Sequence, residues 1–420
     1  MSILSTLKKL LIVDPEKLPK LEWLSAGEHF IPIYFTDLLN RVLEDERLNE
    51  TEREHFRTLA LMLEEHYHLD YQKDFLQLKD AFVPFDPDTE VRYFPEYSEE
   101  YKEECRTRLM HGVENFLAVC NFREMTKEQS TEILGARYPG ILSIKVDMRK
   151  LEFFRIFYRG IRHEDKTGKA LWLLKENYPS LKFKRVFVLA RYKEKYGSGV
   201  LVKVFRDVDV ENLKVVVPEV QLCLPIADQI KVGASFSGAL GTAIVKIILA
   251  ASINLILFLT MLVTFALGFF RSICGFFNSR MRCLKTYSES LYHKSLASNM
   301  GAVNLLVEQA ETQEVKEAFL AYFMLYVCRK ENLTMEELDA RVEAWLEKNF
   351  GFYIDFEVDD ALRKLLDKDL ALKYVHEDGS APHYKVYDLP STLRRLDELW
   401  DNYHQENNIG DPSADSVADA

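Results

Sequence analysis

One apolar stretch, Gly233 to Phe270, limits what this chain can become. Between Lys231 and Arg271 the only ionisable side chain is Lys246, and from Ile247 to Phe270 nothing ionises. A bilayer's hydrocarbon core is roughly 30 Å thick and is crossed by about 20 apolar residues of helix. A helix buried in a soluble core seldom runs so long without a polar face. The stretch therefore predicts a membrane segment. A hairpin of two short helices would keep both flanking parts on one side. A single span, Ile247 to Phe270, would separate them. Gly233, Ser237 and Gly241 recur every four residues, and Gly238 belongs to a second such row. Small residues at that spacing let helices pack closely in lipid. Arg271, Arg280, Arg282 and Lys285 follow directly and predict a cytoplasmic or matrix-facing flank. Lys246 near a helix end reads as snorkelling to a headgroup, with an ion or proton path as the alternative.

The remainder reads as soluble and divided by charge. Apolar residues at helical spacing run from Ile31 to Leu43, from Asn49 through Tyr71, and from Glu99 to Phe122. Thr126 with Gln129 opens a short helix. From Leu142 the period changes to two, in FFRIFYRG, FKRVFVLARYK and GVLVKVF, the last two joined as a hairpin by Tyr196-Gly-Ser-Gly199. Gly168 to Tyr178 between them reads as a helix. From Arg149 to Arg206 there are 16 Lys and Arg against five acids, in a chain of net charge −12. Such a block beside a membrane segment predicts contact with anionic headgroups or phosphate, through Arg155, Arg159, Lys184, Arg185, Arg191, Lys203 and Arg206. Arg159, Arg185 and Arg206 suit a phosphate clamp. The plainer alternative is a solvated sheet face paired with the acidic helices.

Beyond the apolar stretch, Lys285 to Glu311 and Val315 to Val327 read as helices, and Thr334 caps another reaching Asn349. The helix ALRKLLDKDLAL and two short strands about a Gly turn complete a winged-helix pattern. From Glu331 to Asp388 there are 15 acids against seven bases, a surface that DNA phosphates repel. That argues against nucleic acid as partner and predicts a protein contact or a purely structural role. The tail from Gln405 is acidic and rich in small residues, which predicts disorder. Six scattered cysteines without a CxxC pair fit free thiols. The run Glu64-Glu-His66-Tyr-His68-Leu-Asp70 suggests metal ligands, but His66 and His68 diverge on a helix, and it reads as solvated. Phosphate-loop, nucleophile-elbow and zinc-helix motifs are missing, so no catalytic residue, cofactor or metal is expected.

The segments FYRGIR, FKRVFVLARYK and LVKVFRDVDVENLKVVVPEVQLCLPIADQIK, continuing after the apolar stretch as FFNSRMRCLKTYSESLYHKSLASNMGAVNLLVEQAE, resemble the domain-of-unknown-function 3754 family, which includes transmembrane protein 143-like members. The resemblance covers residues 150 to 375. It implies mid-chain membrane helices between a basic and a helical domain, and carries no catalytic residue.

The expectation is an α+β membrane protein. An N-terminal helical region (1–141) precedes a basic antiparallel α+β domain (142–230). A membrane helical hairpin or single span (231–272) follows, then a C-terminal helical domain with a winged-helix-like module (273–400) and an acidic tail (401–420). The function expected is a membrane-anchored, non-enzymatic scaffold with membrane lipids and a protein as partners. A homo-oligomeric channel or transporter accessory is the alternative, and an enzyme on lipid or phosphorylated substrates a further one.

Overall fold

The computed structural model describes residues 27–88, 97–135, 143–146, 148–171, 174–196, 199–218, 220–223, 255–375 and 380–408. In chain order the helices and strands are α1 (Phe35–Leu43), α2 (Glu50–Phe82), α3 (Glu99–Val119), β1 (Arg123–Glu124), α4 (Lys127–Gly135), β2 (Ser143–Val146), β3 (Leu151–Leu171) and β4 (Leu174–Tyr192). They continue as β5 (Val200–Asp209), β6 (Val220–Cys223), α5 (Leu255–Lys294), β7 (Ser295–Ser298), α6 (Met300–Val327), β8 (Leu333–Thr334), α7 (Met335–Phe350), α8 (Val358–Asp367), β9 (Ala371–Tyr374), β10 (His383–Val386) and α9 (Leu389–Asn408). They form two compact units. A sheet unit spans Glu124–Asn299, and a helical unit joins Ser25–Arg123 to Met300–Ala420, so the helical unit is built from both sides of the sheet unit in sequence.

The sheet unit is a five-stranded antiparallel sheet in the order β1-β3-β4-β5-β7, with a separate β2-β6 pair. One face packs Ile156, Tyr158, Phe183, Val186, Val188, Phe205 and Val208 against Met125, Ile133 and the 3-10 turn at Val210–Val216. The capping pair predicted at Thr126 and Gln129 is present in both directions, at 3.2 and 2.8 Å. β3 and β4 pair from Leu151↔Tyr192 to Leu171↔Leu174, in one register from Phe153↔Arg191 to Lys169↔Lys175, through the stretch read as a helix at Gly168 to Tyr178. There, ladder pairing with the facing strand overrides local helical preference. The helix expected from Lys285 to Glu311 is likewise interrupted. β7 leaves α5 to pair with β5, and Asn299, at φ 49°, turns the chain into α6 while donating its N–H to Val202 O. Asparagine tolerates that left-handed conformation better than most residues do.

The membrane expectation is overturned. Among the described residues no helix is long and apolar enough to cross a membrane. The apolar part of α5, Leu255 to Phe270, covers about 24 Å at ~1.5 Å per residue, short of the roughly 30 Å hydrocarbon core. The same helix then continues past Arg271, Lys285 and Glu289 to Lys294. Gly233, Ser237, Gly238, Gly241 and Lys246, the proposed packing face and its lysine, lie outside the described residues. The architecture is therefore α+β, with no membrane hairpin or span among the elements described.

In the helical unit, α6 is the axis. Every residue from Gln313 to Tyr326 is buried, so this helix is enclosed on all sides. Phe56 of α2 meets Phe319, Tyr322, Phe323 and Tyr326 edge-on, with ring centroids 5.4–6.1 Å apart. Such pairs add about 0.5–1.5 kcal/mol each beyond their burial. Asn49 with Glu52 and Thr334 with Glu337 form reciprocal capping boxes at the starts of α2 and α7. Gly351, at φ 73°, ends α7 in a left-handed turn that a β-carbon would strain. The succession α6-β8-α7-α8-β9-β10, with sheet order β8-β10-β9, has winged-helix connectivity.

Candidate anion-binding site

Register brings the basic residues of the sheet together. Arg159 of β3 is directly opposite Arg185 of β4, which is directly opposite Arg206 of β5. Residues opposed in this way project from the same face with β-carbons about 5 Å apart. Three strands therefore place three guanidinium groups in one row. The row next to it on the same face, Phe157-Phe187-Val204, is buried, and its two rings lie 6.3 Å apart. On the other side, both outer strands turn left-handed immediately after their arginine, at Gly160 (φ 64°) and Asp207 (φ 49°). Glycine adopts that conformation freely, but aspartate there is uncommon. A local break in two strands thus frames the arginines.

Adjacent like charges repel, and their environment decides by how much. Arg159 is only 6 % exposed. Arg185 is half-buried: its Nη1 donates to Lys184 O at 2.9 Å, while its Nε is buried without a partner. Arg206 is exposed and donates its Nε to His293 O at 3.3 Å, at the end of α5. The row is thus graded from a buried arginine to an open one, with an unused donor in the middle.

The other predicted contacts are placed differently. Arg155 makes a two-pronged pair with Glu124, at 2.7 and 2.6 Å, and lies over the Phe157 ring. Arg191 is buried and pairs with Glu152 at 3.3 Å. Lys184 and Lys203 are half-buried, and Lys203 faces Ser298 of β7. At the far end Asp209 accepts from Lys294 at 2.8 Å, with Lys182 at 3.9 Å. Lys182 is held charged above its ordinary range by Glu164 beside it. The basic block is therefore divided between ion pairs and the row, and is not one continuous open face.

The histidine run on α2 diverges as its spacing implies. His66 Nε2 meets Leu396 O at 2.8 Å in the interior, and His68 Nδ1 meets Glu311 at 3.2 Å on the surface. Sequence reasoning passed over Tyr67 between them, and also Glu314, Glu317, Asp360 and Lys364, which converge inside the helical unit. A signal was present: Glu314, Lys316 and Glu317 lie midway along the apolar helix α6, where ionisable residues need partners.

The outward side of α8 carries Asp359, Arg363 and Asp367, a mixed and mainly acidic surface.

These features define an α+β protein with a basic sheet unit and an acidic helical unit. Residues 183–301, which hold Arg185, Arg206, β5, β7 and α5, match the family described as a protein of unknown function, DUF3754. The match does not extend to the transmembrane protein 143-like part of the resemblance. No solved structure matches the chain.

Proposed function

We propose that the protein is a non-enzymatic scaffold whose sheet unit binds a phosphate-bearing ligand across Arg159, Arg185 and Arg206, while its acidic helical unit contacts a protein partner. The cross-strand register of the three arginines carries this reading. Guanidinium groups aligned side by side favour an anion that bridges them, and planar forks suit phosphate oxygens better than point charges do. The buried, unused Nε of Arg185 supplies a donor at the centre of the row. Free phosphate esters and lipid headgroups offer the same chemistry. The narrow row between two backbone breaks selects the phosphate group, and a broad lipid-facing surface is less well supported because Arg155 and Arg191 already hold carboxylates.

The test uses the full chain and three probes: inorganic phosphate, inositol hexakisphosphate, and vesicles of phosphatidylcholine with or without phosphatidic acid. Binding to at least one phosphate probe is expected, and Arg185→Gln should weaken it about tenfold, the loss of one charge-assisted contact of roughly 1.5 kcal/mol. Lys195→Gln, outside the row, should leave it unchanged. Binding to vesicles that inositol hexakisphosphate does not displace identifies a headgroup, and displacement identifies a soluble ester. Equal binding by the wild type and Arg185→Gln sinks the proposal.

A further inference from the structure

The helical unit encloses a polar cluster separate from the arginine row. Glu314 and Glu317 are one turn apart on α6, and Asp360 and Lys364 one turn apart on α8, so each pair lies on one helix face. The three carboxylates come within 4.8 Å of one another. Lys364 Nζ is among them, 2.9 Å from Glu314, 2.6 Å from Asp360 and in direct contact with Glu317. Glu314, Glu317 and Lys364 are all buried. The protein's own ammonium thus occupies the centre to which the carboxylates point. One ammonium does not balance three carboxylates.

The groups facing the cluster do not supply the missing positive charge. From α2, Tyr67 and Tyr71 face it with phenols that burial holds neutral, well above their ordinary range. Asp70 and Lys368 neutralise each other at 2.7 Å, with Tyr403 of α9 beside Asp70. On α6, Gln313 donates to Glu317 and accepts from Ile31 N–H at 3.1 Å, and Lys316 Nζ donates to Ile31 O at 3.1 Å. Ahead of α1, His29 is 3.6 Å from Glu357, which is itself raised by burial at the start of α8. The Tyr67 hydroxyl is buried and without a partner, and Lys364, Glu314, Asp70 and Glu317 are the charged groups acting on it. A protonated carboxyl is the remaining way to reduce the excess charge.

We infer that Glu314 and Glu317 form a proton-binding site, sharing one proton that secures α8 to α6 and whose release loosens that contact. Burial raises both glutamates against the pull of Lys364, with Glu317 pushed up to about 7. The fold prefers the neutral acid and so binds the proton more tightly than the unfolded chain does. The resulting stabilisation is complete below the ordinary glutamate range near 4.5, and is lost as pH rises to about 7.

Infrared spectroscopy of the full chain reads the proton directly. A carbonyl stretch from a buried, protonated carboxyl is expected at pH 5.5, absent at pH 8.5 and reduced in Glu317→Gln. Hydrogen exchange reads the mechanical consequence. After correction for intrinsic rates, α6 and α8 should exchange about tenfold faster at pH 8.5 than at 5.5 in the wild type, with little difference in Glu317→Gln, which keeps the shape and cannot ionise. No protonated band at pH 5.5, or the same pH dependence in the variant, overturns the inference. The band is measured on the wild type, so a variant that fails to fold leaves that arm decisive.

Discussion

On the sheet, Arg159, Arg185 and Arg206 stand beside one another on three strands. In the helical unit, Lys364 is enclosed by Glu314, Glu317 and Asp360. The same contrast runs through the whole chain. Glu124–Asn299 holds 27 basic and 15 acidic residues, net +12, whereas Ser25–Arg123 with Met300–Ala420 holds 23 and 48, net −25. A charge enclosed by its opposites is part of the fold's own support. A row of like charges is a local strain that a ligand can relieve. Removing one residue from each should therefore act in opposite directions.

The largest effect is expected from Lys364→Met. It leaves three converging carboxylates without their ammonium, and should lower stability by about 3–5 kcal/mol in chemical denaturation. Adding Glu317→Gln should recover part of that loss. A single variant as stable as the wild type would show that the ammonium is not what holds α8 to α6. Loss of the Thr334 cap is smaller. Thr334→Ala removes a hydroxyl that accepts from Glu337 N–H at 3.3 Å, and should cost about 1 kcal/mol. The smallest effect is also the most diagnostic. Without ligand, Arg185→Gln should leave stability unchanged or raise it by about 0.2–1 kcal/mol, because it removes like-charge repulsion across two strand pairs. A clear loss of stability would mean that Arg185 is a structural residue, and the contrast between the units would fail.

Much of the local structure was legible before the fold. Capping pairs at Asn49, Thr126 and Thr334 mark helix starts because their chemistry acts within four residues. The alternation in FKRVFVLARYK and GVLVKVF marks strands for the same reason. The three arginines were legible as candidates by charge alone. Their alignment was not, since it depends on the register of strands more than 20 residues apart. Gly168 to Tyr178 looks helical until the long β3–β4 ladder claims it. The apolar stretch was read as a membrane hairpin or single span from its composition, whereas its described part belongs to a helix that continues through Arg271 and Lys285. The cluster around Lys364 was the least visible, because its charged members come from two helices far apart in sequence and look individually like solvated charge.

The helical unit has a consequence for how the chain is made. Its α2 emerges early, yet the axis it packs against, α6, begins only at Met300. At ~5–20 residues per second, synthesis of the intervening sheet unit takes about 10–35 s. Throughout that interval the Phe56 face of α2 lacks the four α6 rings it packs against, so nascent chains are most open to chaperones and to misassociation at this stage. A ribosome stalled within the sheet unit would hold half of one domain and none of its core helix.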